Sequence, residues 1–72
     1  MQLLRLNAVV EKTGLPRSTI YRMCRLGRFP LPAKLSERSS AWNSTEVDLW
    51  INDRLAERDV ATQERAAAGH RA

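Results

Sequence analysis

The stretch from Thr13 to Gly27, TGLPRSTIYRMCRLG, decides the fold. Gly14 stands where a helix ends on a residue of positive φ, a conformation that glycine adopts without strain. Pro16 then suits the start of a second helix, because its φ is already set and no N–H is lost. That helix is expected to run to about Leu26, with Gly27 ending it. Upstream, Asn7 is placed to cap a first helix from Ala8 to about Thr13. Leu6, Val9, Val10 and Thr13 fall there at helical spacing on one side. Two short helices across a tight glycine-containing turn are the helix-turn-helix pattern.

The second helix has two chemically different faces. Ile20, Met23 and Cys24 lie at i, i+3 and i+4 and should face a core. Ser18, Arg22 and Arg25 lie at i, i+4 and i+7 on another side, flanked by Tyr21 and Arg28. Hydroxyl, guanidinium and phenol groups facing outward are the donors that read base edges and phosphates. An ordinary amphipathic surface helix has the same spacing, and the glycine turn before this one is what favours the binding reading.

Downstream, Phe29-Pro30-Leu31-Pro32 is not helical, since each proline biases the residue before it to extended geometry. Lys34-Leu35 and Ala41-Trp42 read as two short strands joined by the loop Ser36-Glu37-Arg38-Ser39-Ser40. Arg38 is the cation at the tip of this hairpin. Thr45-Glu46-Val47-Asp48 matches a capping box. It opens a third helix that buries Val47, Trp50, Ile51 and Leu55 and turns Asp48, Asn52, Asp53 and Glu57 to water. Leu3-Leu4-Arg5-Leu6 opens the chain as a short strand or extended segment. Residues 61–72 are helical in composition but have nothing to bury, so they should fray.

Composition narrows the function. The 72 residues form one small domain, too small for a multi-domain enzyme, with 12 Lys+Arg against 8 Asp+Glu, a net +4. Residues 1–44 hold eight basic groups and two acids; the remainder hold four Arg and six acids. A basic lobe followed by an acidic tail points to a polyanion partner for the first part alone, with a solvated basic face as the plain alternative. The single cysteine, Cys24, forms no internal disulfide and reads as a small core hydrophobe in a reducing, cytoplasmic setting. Trp42 and Trp50 read as core. His70 is the lone histidine, so no metal cluster or Cys-His or Ser-His-Asp arrangement is expected, and no cofactor. No apolar run suits a membrane span, and the first residues lack the order of a signal peptide.

The segments LLRLNAVVEKTGLPRSTIYRMCRLGRFPLPAKL (3–35) and SAWNSTEVDLWINDRLAER (40–58) resemble the AlpA-type prophage regulators, a branch of the MerR/excisionase-like winged helix-turn-helix proteins. TGLPRSTIYR, GRFPLPAKL and the spacing of Trp42, Glu46, Val47 and Trp50 carry the likeness. The resemblance implies a DNA-binding regulator of transcription, often of integrase or excision genes on mobile elements. By position it matches Arg17, Ser18, Thr19, Tyr21 and Arg22 to the recognition helix, and Lys34 and Arg38 to the wing. Pro16 stands where relatives often carry Ser, and Glu37 dilutes the wing's charge. MerR-type effector sensing is not expected, for want of an apolar heptad helix or a cysteine cluster.

The expectation is therefore a mainly α domain with a small β hairpin, a winged helix-turn-helix over residues 1–58, and a helical or disordered tail over 59–72. A recognition helix at about 17–26 would enter the major groove of double-stranded DNA, with the wing, 34–42, on flanking DNA. Candidate DNA-binding residues are Arg17, Ser18, Thr19, Tyr21, Arg22, Arg25, Arg28, Lys34 and Arg38. No catalysis, membrane or small-molecule ligand is expected, and the location is cytoplasmic, at the nucleoid. One module has room for few base contacts, so a dimer or tandem copies on DNA are anticipated. The alternatives are an excisionase-like recombination directionality factor, or a protein-interaction module such as an antitoxin or phage adaptor. The Ser18/Arg22/Arg25 face of the second helix lacks the aromatic anchors of a protein hot spot.

Overall fold

The computed structural model describes residues 1–69, with side chains placed as far as Ala66. Six elements follow in order: β1 (Leu3–Leu4), α1 (Leu6–Thr13), α2 (Arg17–Arg25), β2 (Ala33–Ser36), β3 (Ser39–Asn43) and α3 (Ser44–Gly69). The fold is a helix-turn-helix followed by a hairpin wing and a long helix. His70 lies outside the described residues.

Two glycines shape the helical pair. Gly14, at φ 74°, donates its N–H to the Val10 carbonyl at 2.8 Å, which closes α1 in the simple left-handed cap. The Thr13 hydroxyl braces this turn, donating to the Val9 carbonyl and accepting the Leu15 N–H. Gly27, at φ 70°, ends α2 differently. Its N–H meets the Cys24 carbonyl while the Arg28 N–H reaches back to Met23, the paired bonds of a Schellman motif.

Helix starts depart from expectation. α1 begins at Leu6 with Arg5 in the N-cap position, and Asn7 does not cap it. The Asn7 carboxamide oxygen instead accepts from the Arg17 guanidinium, tying α1 to α2. Pro16 is the N-cap of α2 rather than its first helical residue, with ψ at 153°, and no side chain caps that end. At α3, Asn43 replaces the expected Thr45 box. Its carboxamide oxygen accepts the Thr45 N–H at 2.8 Å and the Glu46 N–H at 3.4 Å. Asp48, expected to face water alone, pairs with Lys12 at 2.6 Å and links α3 to α1.

The sheet is antiparallel with strand order β1-β3-β2. Leu3 and Leu4 pair with Asn43 and Trp42, so the start of the chain lies against β3. On the other edge Ser36 pairs with Ser39 and Lys34 with Ser40, which leaves Leu35 as a bulge. The wing's loop is thus only Glu37-Arg38, shorter than the expected Ser36–Ser40, because the serines join the ladder. Every residue of β2 is exposed, whereas Ala41 and Trp42 of β3 are buried.

Val9, Ile20, Phe29, Trp42 and Val47 form the buried core, with Leu4, Leu6, Val10, Leu15, Met23, Cys24, Trp50 and Ile51 packed around it. Both tryptophans also hold the connection between α2 and the wing. Trp42 Nε1–H donates to the Pro30 carbonyl at 2.9 Å, and Trp50 Nε1–H to the Arg28 carbonyl at 2.7 Å. Between these anchors Phe29 meets the Trp50 ring edge-on, with centroids 4.8 Å apart. Leu55, expected in the core, is 43 % exposed because α3 has already left the body. α3 runs on as continuous helix to Gly69, with every residue from Asn52 to Ala66 exposed, and residues 70–72 of the expected tail lie outside the described residues.

Trp42→Phe keeps an aromatic ring but leaves a part-buried carbonyl short of its N–H donor, and should cost about 1–3 kcal/mol in urea denaturation. Trp50→Phe should cost less, because water can reach the Arg28 carbonyl; the reverse order would contradict this packing. Deleting residues 61–72 should change stability by no more than about 0.5 kcal/mol. A larger loss would show that the projecting helix is supported by contacts not seen here.

Candidate nucleic-acid interface

The exposed face of α2 carries Arg17, Ser18, Tyr21, Arg22 and Arg25. At 3.6 residues per turn these five share one half of the helix. The opposite half carries Ile20, Met23 and Cys24 into the core. Thr19 is half-buried at the margin of that inner face, so the structure does not bring it together with the other five.

Arg28 also stands apart. It follows the Schellman turn and lines a hollow of about 600 Å³ between the end of α2 and α3, together with Glu46, Asp53 and Arg54. Acids share that hollow, unlike the α2 face. Lys34 and Arg38 are exposed on the wing, Lys34 in β2 and Arg38 in the two-residue turn.

Wing and α2 meet at a cleft of about 220 Å³ lined by Arg5, Leu6, Tyr21, Pro32, Arg38, Ser40 and Trp42. Arg5 was not among the residues expected from the sequence. An arginine between leucines near the start carries no local signal; its position follows from the pairing of β1 with β3, across about forty residues of chain.

Ion pairing divides the charges. The three ion pairs among the described residues use Lys12, Arg54 and Arg58, all outside α2 and the wing. Among the described residues, the cations of α2 and the wing therefore face solvent without a carboxylate partner, an arrangement suited to an external polyanion. No group of three or more His, Cys, Asp or Glu among the described residues is placed to hold a metal ion. No described helix is long and apolar enough to cross a membrane.

The chain matches the family model for the prophage CP4-57 regulatory protein AlpA over residues 2–55. The chain belongs to the AlpA family. Its members are regulators rather than enzymes. One relative is the uncharacterized protein ORF88 of Enterobacteria phage P4, 42 % identical over 55 residues, covering 76 % of this chain and 62 % of that protein. The chain thus spans less than two thirds of that relative's length. Another is the DNA-binding transcriptional activator AlpA of Escherichia coli K12, 35 % identical over 60 residues, covering 75 % of this chain and 86 % of that protein. The AlpA match takes in both helices of the pair, the wing and the first turns of α3.

Cys24 anchors the inner face of α2, its Sγ 3.5 Å from the Pro30 carbonyl that Trp42 also engages. Burial pushes its thiol above the ordinary range, partly offset by the contact with Trp42. The thiolate is the reacting form, so alkylation by iodoacetamide should set in at higher pH for the folded protein than for the urea-unfolded chain. Equal pH profiles would show that Cys24 is not held as described.

Proposed function

We propose that this chain binds double-stranded DNA sequence-specifically and regulates transcription on a prophage or other mobile element. The observation that carries the proposal is the α2 face of Arg17, Ser18, Tyr21, Arg22 and Arg25, exposed and without carboxylate partners among the described residues. Membership of the AlpA family and the likeness to the DNA-binding transcriptional activator of Escherichia coli K12 support the same reading.

In this reading α2 lies in the major groove. Arg22 stands midway along the exposed face, one turn after Ser18, where a bidentate contact to guanine O6 and N7 is in reach. Arg17, Ser18 and Tyr21 hold the adjacent backbone, and Arg25 a base edge or phosphate. The wing, with Lys34 and Arg38, lies on flanking backbone or minor groove. Thr19 serves the helix from its inner margin, and Arg28 is the least favoured of the candidates, given its place beside Glu46 and Asp53. Residues 1–58 act as the binding domain and 59–72 as an appendage. With roughly six phosphate contacts, affinity should fall about a thousandfold between 50 and 200 mM salt.

The test compares a duplex recovered by the wild-type protein from a random-sequence pool with a scrambled duplex, at several salt concentrations. Arg22→Ala should weaken the selected duplex by about 1–3 kcal/mol and relax preference at one base pair. Arg38→Ala should weaken both duplexes alike and flatten the salt slope by about one unit. If Arg22→Ala lowered both affinities equally while Arg38→Ala erased the preference, the roles of helix and wing would be exchanged. If neither change mattered, the chain would not bind DNA through this surface.

A further inference from the structure

We propose that the cleft between α2 and the wing seats one phosphate of the DNA backbone, held jointly by Arg5, Tyr21 and Arg38. The inference rests on the DNA-binding reading above and adds Arg5 as a binding residue.

Arg5 is fixed by its backbone on both sides. Its carbonyl accepts the N–H groups of Ala8 at 3.0 Å and Val9 at 3.1 Å, which starts α1. The residue before it, Leu4, is paired with Trp42 of β3. Only the side chain is left to move, and it borders the same cleft as Arg38 and the Tyr21 phenol. Arg38 sits in a two-residue turn closed by the pairing of Ser36 with Ser39. Three separate parts of the chain therefore bring donors to one place.

The surroundings favour an anion there. No acidic residue lines the cleft, and neither Arg5 nor Arg38 takes part in an ion pair among the described residues. Two guanidinium groups bordering one hollow repel each other until an anion lies between them. Leu6, Pro32 and Trp42 give the cleft an apolar floor, where water screens less and a charge-assisted hydrogen bond is stronger than on open surface. A phosphodiester offers two non-bridging oxygens, enough for both guanidinium groups, while the Tyr21 and Ser40 hydroxyls supply neutral donors. Tyr21 belongs to α2 and Arg38 to the wing, so one phosphate held here fixes both on the duplex at once.

The experiment uses the full chain and the duplex that the wild-type protein recovers from a random pool. Each phosphate is replaced in turn by an uncharged methylphosphonate, and binding is measured for wild type, Arg5→Gln, Arg38→Gln and the double variant. Arg5→Gln should melt like wild type, since its capping carbonyl is retained, and should flatten the salt slope by about one unit. One methylphosphonate should weaken wild type roughly tenfold and leave the double variant unaffected. Together the two substitutions should lose less than their separate losses predict, because they serve one phosphate. If Arg5→Gln kept wild-type affinity and slope while Arg22→Ala still weakened binding, the cleft assignment would fall and the DNA reading would stand. If the wild-type protein recovered no duplex, both would fall. If no methylphosphonate position were sensitive, yet inorganic phosphate raised the melting temperature of wild type and not of Arg5→Gln, the cleft would take a free anion and the backbone assignment would be overturned.

Discussion

Two indole N–H groups hold the segment that joins the helical pair to the wing. Trp42 reaches the Pro30 carbonyl from β3, and Trp50 reaches the Arg28 carbonyl from α3. The segment cannot organise itself. Pro30 and Pro32 have no N–H to give, and their neighbours are held out of helical geometry. Its carbonyls need donors from elsewhere, and Trp supplies a donor on a side chain large enough to fill the core at the same time. Phe29 completes the contact by turning between these anchors against the Trp50 ring. The distance between α2 and the wing, and with it the cleft they form, depends on this clamp.

The wing needs that support. A lone hairpin is marginal in water, and here one of its strands, β2, is exposed along its whole length. β3 carries the burden: Ala41 and Trp42 lie in the core, and β1 pairs along its other edge. The bulge at Leu35 and the tight Glu37-Arg38 turn place Arg38 on the cleft that Tyr21 of α2 and Arg5 also line. Among the described residues the ion pairs use Lys12, Arg54 and Arg58, which leaves this side of the molecule uncompensated by them. Charge and shape thus converge on one surface, while α3 departs from it with its exposed stretch, Asn52–Ala66, running about 22 Å at 1.5 Å per residue.

Features set by local chemistry were legible in the sequence. Gly14 and Gly27 both hold positive φ, the proline run is not helical, and the two faces of α2 divide as helical spacing requires. Features decided by competition between neighbours were not. Asn43, Ser44 and Thr45 all have capping side chains, and the end of β3 fixes which of them stands first; Asn43 wins. Asn7 has the chemistry of a cap, yet the Arg17 guanidinium takes its oxygen. Long-range partnerships were hidden too. Both tryptophans read as core, but nothing in their spacing shows which carbonyls they engage. The polar face of α2 was readable except at Thr19, on the boundary, while Arg5 joined the cleft only through strand pairing with residues far along the chain.

The most direct measurement is the map of backbone amide shifts when the selected duplex is added to the ¹⁵N-labelled protein. Shifts should concentrate in Arg17–Arg25, in Lys34–Ser40 and around Arg5, while Asn52–Ala66 stays unmoved. Shifts centred on α3 and the hollow beside Leu49 and Trp50, with α2 unchanged, would contradict binding through α2 and the wing.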